Sequence, residues 1–170
     1  MKAKRTWVVL SVLLPIGVLA AWVVRLEVQR QQGHPIELRV QAYDPRDLLS
    51  GHYLQYAVDY GQPVCGEGVQ ERSDVCVCLN ETVTPNAASW SGECSGRPAD
   101  CEVFIAGVCE YGRFNAGIER YYIPEAYTSQ LTQVPQDSTI RLRVAADGRA
   151  LVEQFLVAGK PLAEYLANKP

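Results

Sequence analysis

Six cysteines, Cys65, Cys76, Cys78, Cys94, Cys101 and Cys109, fall inside one 45-residue window of a 170-residue chain. Thiols gathered this way either staple their stretch with disulfides or bind a metal, and the compartment decides which. No C-x-x-C occurs, and both histidines, His34 and His52, lie outside the window. The paired spacings of a zinc site and the motif of a dithiol redox centre are therefore missing, and no metal or cofactor is expected. Six thiols allow about 15 connectivities. If Cys76-Val77-Cys78 is a strand, its thiols share a face and bond different partners. The turn-rich loop from Cys94 to Cys101 could bring those two together. Cys101 and Cys109, if they lie on one straight strand, are roughly 26 Å apart and cannot pair.

The compartment is read from the N-terminus. Trp7 to Val24 is an uncharged run of 18 residues between Arg5 and Arg25. As a helix it is about 27 Å long, close to the hydrocarbon thickness of a bilayer. Trp7 and Trp22 stand near its ends, and Lys2, Lys4 and Arg5 precede it. The expectation is a transmembrane helix at 7–24 with a cytoplasmic N-terminus at 1–6 and the remainder exported. A cleaved signal peptide is the competing reading, since Val18-Leu19-Ala20 resembles a cleavage site. Either reading exports the cysteines and favours three disulfides.

Residues 25–34 read as a stalk closed by Gly33-His34-Pro35, and residues 35–170 as the exported domain, with a cysteine-rich segment at 61–110. From Gly33 onward 11 basic face 18 acidic residues, a net charge of −7. Such a surface cannot neutralise phosphates, which sets nucleic acid aside as a partner. Ile36 to Val40, His52 to Tyr60, Val103 to Val108, Gly117 to Ile123, Thr139 to Ala145 and Ala150 to Val157 alternate or form short apolar runs, as strands do. Pro124 should stop pairing. Asp147-Gly148 predicts a type I′ hairpin, and Ala126 to Val134 has room for a short helix. The expected fold is all-β, a small antiparallel sandwich or partly closed barrel after the membrane helix, with a disulfide-stapled insertion.

The segment Asp44-Pro45-Arg46-Asp47-Leu48-Leu49-Ser50-Gly51-His52-Tyr53 resembles the bacterial GDYXXLXY family. The similarity continues through Gly117-Ile118-Glu119-Arg120-Tyr121-Tyr122-Ile123-Pro124-Glu125 and resumes at Asp147-Gly148-Arg149-Ala150. Of the five specified positions in the naming motif, Gly51 and Tyr53 match. His52 stands for the acid, Tyr56 for the Leu and Val58 for the second Tyr. The resemblance implies exported proteins with one N-terminal membrane helix and no established biochemical role. The cysteine window is an embellishment of the pattern.

Catalytic readings are few. A Ser–Lys dyad at Ser50 needs a buried lysine, and beyond residue 30 only Lys160 and Lys169 exist, neither in an apolar strand. Asp44, Asp47, Glu119 and Glu125 could supply a carboxylate pair, yet the first two serve equally as caps and turn formers. His52 reads as a loop hydrogen-bonding group. Tyr53, Tyr56, Tyr60, Tyr121 and Tyr122 either line a pocket or fill half-buried sheet faces. Asn80-Glu81-Thr82 fits a glycosylation sequon with no assigned role. The expectation is a non-enzymatic module tethered to the cytoplasmic membrane that binds another envelope protein. The alternative is a membrane-tethered hydrolase using a carboxylate pair or Ser50.

Overall fold

The computed structural model describes residues 2–31, 33–42, 53–66, 72–124, 131 and 134–167, with first-helix side chains described at 13–25, 27, 28 and 31. It forms two compact units, Met1–Gly33 and His34–Pro170.

The first unit is a single helix, α1, Lys2–Gln31, with Pro15 inside it. It ends just before Gly33-His34-Pro35, where proline forbids continuation. Leu13, Leu14, Ile16, Val18, Leu19, Trp22, Val23 and Val24 all expose more than half of their surface. The expectation of a membrane span is not met as such: among the described residues, no helix is long and apolar enough to cross a membrane. The uncharged run with described side chains covers only 13–24, about 18 Å of helix against ~30 Å of hydrocarbon. The side chains of 7–12 lie outside the described residues.

The second unit is mostly β. Its strands are β1 (His34–Ala42), β2 (Tyr53–Asp59), β3 (Ser73–Asn80), β4 (Ala87–Glu93), β5 (Phe104–Glu110), β6 (Arg113–Asn115), β7 (Arg120–Tyr122), β8 (Ser138–Val144), β9 (Ala150–Val157) and β10 (Lys160–Pro161). A short helix, α2 (Leu162–Ala167), follows; strand periodicity had not announced it. The strands form two antiparallel sheets, ordered β10-β9-β8-β1-β2-β7 and β4-β3-β5-β6.

In the six-stranded sheet the alternation does what it predicts. Ile36, Leu38 and Val40 of β1, Leu54 and Tyr56 of β2, and Ile140, Leu142 and Val144 of β8 are buried together. The other face of β1 and β8 is polar. Glu37 accepts from Thr139 Oγ1 at 2.9 Å and pairs with Arg141 at 3.6 Å, while Arg143 meets Glu153 at 3.1 Å.

The cysteine-rich segment is no appendage. It makes the four-stranded sheet, and Val77, Leu79, Val103 and Ile105 enter the same core. The disulfides are Cys65–Cys109, Cys76–Cys94 and Cys78–Cys101. Cys76 and Cys78 point away from Val77 and Leu79, so two bridges tie the 94–101 loop to the sheet's far face. Cys94 and Cys101 do not bond to each other, because each is claimed by β3. The third bridge, between the loop after β2 and β5, links the two sheets.

The hairpin chemistry also departs from expectation. At Asp147-Gly148 only Gly148 has positive φ (+82°), and its N–H donates to Ala145 O at 2.9 Å. That is a type I turn closed by a glycine bulge, not type I′, which needs positive φ at both central residues. The pairs that meet the I′ condition are Tyr111-Gly112, between β5 and β6, and Ala158-Gly159, between β9 and β10. The helix expected over Ala126 to Val134 lies largely outside the described residues, and Leu131 and Val134 are not helical.

Candidate functional site

A cleft of about 810 Å³ lies where the sheets diverge. One wall is every residue from Gln55 to Tyr60 of β2 and just beyond. The opposite wall is Gly112 to Asn115, at β6, with Gln41, Gln62 to Cys65, Gly117, Glu119 and Arg120 completing the lining. Cys65 is fixed to the buried Cys109, so a covalent bond sets the spacing at this end of the molecule.

The floor is aromatic. Tyr60 meets Phe114 edge-on at 5.5 Å, and Tyr56 leans on Phe155 at 5.6 Å. The Tyr56 hydroxyl donates to Ile118 O at 2.5 Å. The Tyr60 hydroxyl is buried and, among the described residues, has no hydrogen-bond partner. Burial foremost, and then Glu119, pushes both phenols above their ordinary pKa, so they remain O–H donors.

The polar rim is locally engaged. Asp59 accepts from Gly61 N–H at 2.8 Å and Gln41 Nε2 at 3.1 Å. Glu119 Oε1 accepts from Ala116 N–H at 2.7 Å, and Asn115 Oδ1 from Gly117 N–H at 2.9 Å. These bonds shape the turn between β6 and β7. They give Glu119 a structural task that its strand alternation did not reveal.

Of the residues carrying the family resemblance, Tyr53, Glu119, Arg120 and Tyr121 gather at β2 and β7. The Arg120 guanidinium sits 5.1 Å over the Tyr53 ring, and Tyr53 meets Tyr122 edge-on at 6.2 Å. Pro124 follows the end of β7, as expected of a residue that cannot pair. Asp147 and Gly148 form the β8–β9 turn, in a different part of the fold. Asp44, Pro45, Arg46, Asp47, Ser50, Gly51, His52 and Glu125 lie outside the described residues. Lys160 is exposed and paired with Glu164 at 4.0 Å, unlike a desolvated catalytic lysine. Among the described residues, no group of three or more His, Cys, Asp or Glu is placed to hold a metal ion. Sequence reasoning missed the cleft's second wall, because nothing in Arg113-Phe114-Asn115 marks it as a partner for β2.

A family model described as GDYXXLXY protein matches residues 15–155. No curated protein matches, and no solved structure does.

Proposed function

The chain belongs to the GDYXXLXY family, and from that premise we propose that it is a binding module of the bacterial cell envelope. In this reading α1 anchors it in the cytoplasmic membrane with the N-terminus inside, and the disulfide-bonded β domain stands on the extracytoplasmic side, engaging another envelope protein. The observation that carries the reading is the closure of all six cysteines into three bridges, which persist in an oxidising compartment. The uncharged run from Trp7 to Val24 behind three basic residues supports the tether and its orientation.

The test is crosslinking in intact cells followed by mass spectrometry, beside reporter fusions to the C-terminus. A discrete envelope protein should be recovered, and the reporter should be active only when exported. Activity of a reporter that works only in the cytoplasm would sink the localisation. Recovery of no specific partner would sink the binding role.

A further inference from the structure

One edge of β2 pairs with β7 over Tyr53–Gln55, and Tyr56 N–H then donates to Glu119 O at 3.1 Å. Gly117, at φ +79°, turns the chain away from β2. Backbone groups of an antiparallel strand alternate between its edges, so a Tyr56 N–H on this edge places the N–H and C=O of Val58 there too. Among the described residues, no strand pairs with β2 on this edge beyond Gln55. The next contact is Tyr60 O, which accepts from Ala88 N–H at 2.8 Å. Across the cleft, β6 is the outermost strand of its own sheet, with β5 as its neighbour. The cleft is thus bordered by a strand edge on each side. Tyr60 lines this cleft and is only 6% exposed, and among the described residues its hydroxyl has no hydrogen-bond partner.

We propose that this cleft binds an extended polypeptide segment of a partner protein, which lies alongside β2 as an added strand and places a backbone carbonyl on the Tyr60 hydroxyl. Open strand edges are templates for such pairing, with main-chain hydrogen bonds giving affinity and alternate side chains giving specificity. The cleft volume lies within the range of sites that bury a small ligand or short segment, roughly 300–1,000 Å³. Half-buried Val58, Val64 and Phe114 call for an apolar residue at the segment's centre. Gln41, Gln55 and Asp59 suit polar flanks. The inference rests on the reading above only in that the partner is a protein.

The test uses the full chain in detergent micelles with its disulfides intact, panned against displayed libraries of short linear peptides. Peptides should be recovered whose binding slows amide exchange at Val58 and is lost when alternate backbone nitrogens are methylated. Tyr60→Phe should weaken binding about three- to tenfold, the worth of one hydrogen bond, while leaving the free chain at least as stable, because it removes an unsatisfied buried hydroxyl. An empty screen overturns the inference. So do peptides that leave Val58 exchange unchanged or tolerate methylation at every position. Envelope crosslinks that persist beside an empty peptide screen remove this inference and leave the proposed function standing. Loss of the crosslinks with peptides still bound at Val58 does the reverse.

Discussion

The two sheets share one core but are held by different means. In the six-stranded sheet one face is apolar and the other carries paired charges, so burying one face completes it. In the four-stranded sheet, β3 is buried from Val75 through Leu79 on both faces. Its core face needs no help, since Val77 and Leu79 pack against Ile105 and the opposite sheet. Its far face is covered by the 94–101 loop, which has little aliphatic surface of its own. Two disulfides hold that loop where hydrophobic area would otherwise be required. The lesson is that covalent bonds here replace a missing layer of side chains, and they do so on one side of one sheet.

Reduction of all three bridges should have the largest effect and should fall on the four-stranded sheet first. Cys65–Cys109 closes the longest loop, with a separation of 44 residues, and its removal by paired serine substitution should cost about 4 kcal/mol. Cys76–Cys94, with a separation of 18, should cost about 3 kcal/mol. Residue-level hydrogen exchange under reductant checks the comparison. Protection lost from β3 to β6 before β8 and β9 supports two separable regions, and simultaneous loss makes them one cooperative unit. Leu142→Ala attacks the other region. This side chain is wholly buried, and its truncation should lower stability by about 3 kcal/mol in a denaturant melt, leaving the bridges formed.

Asn86 joins the two regions without covalent help. Its N–H donates to Glu37 O at 2.6 Å, its Oδ1 accepts from Glu37 N–H at 2.9 Å, and its Nδ2 donates to Asn80 O at 2.9 Å. It thereby occupies the edge of β1 that β2 reaches only from Arg39 onward. Asn86→Ala strands the Glu37 N–H and Asn80 carbonyl, and should cost about 2 kcal/mol. Measured in a double-mutant cycle with the Cys65–Cys109 pair, it should couple. Strict additivity would mean the sheets are not held in series.

What the sequence discloses follows the same division. β1, β2 and β8 are legible because each buries one face, which writes a period of two into the residues. β3 hides that period, since Cys76 and Cys78 are as buried as Val77 between them. The bridging pattern was out of reach for a related reason: closeness along the chain favours Cys94 with Cys101, whereas β3 competes for both. Turn type was not legible even where aspartate precedes glycine, since Asp147-Gly148 closes a type I turn with a glycine bulge. Tyr111-Gly112 and Ala158-Gly159 meet the type I′ condition without an asparagine or aspartate to signal it. The cleft is the least legible feature, because its two walls, Gln55 to Tyr60 and Gly112 to Asn115, are distant in sequence and meet only in the fold.

The β8–β9 turn is where the six-stranded sheet reaches the other one, through Ala106 N–H to Gly148 O at 2.8 Å. A methyl at Gly148 would strike the Phe104 ring, and the residue holds φ +82°. At Gly159, φ is +77° with open space around it. Gly148→Ala should therefore cost about 2 kcal/mol and Gly159→Ala about 1 kcal/mol, the difference reporting the contact between sheets. Equal costs would show that the turn is strained but not clamped.

The smallest effect is expected beside it, at Asp147. Its carboxylate accepts from the Arg149 N–H at 3.1 Å and meets Arg149 Nε at 2.7 Å. The backbone bond foremost, together with the guanidinium, holds its pKa below the ordinary aspartate value. A carboxyl with a lowered folded-state pKa stabilises the fold above its unfolded pKa, and that contribution fades as pH falls through the folded value. Asp147→Asn keeps an acceptor and discards the charge, so it should lower the denaturant midpoint slightly at neutral pH. The gap between parent and variant should close in acid, once both side chains are neutral, and shrink in high salt because the pair is exposed. Exchange protection at Ala106 should fall along with it. A gap that persists unchanged into acid would show that the side chain's shape, and not its charge, holds this point of contact between the sheets.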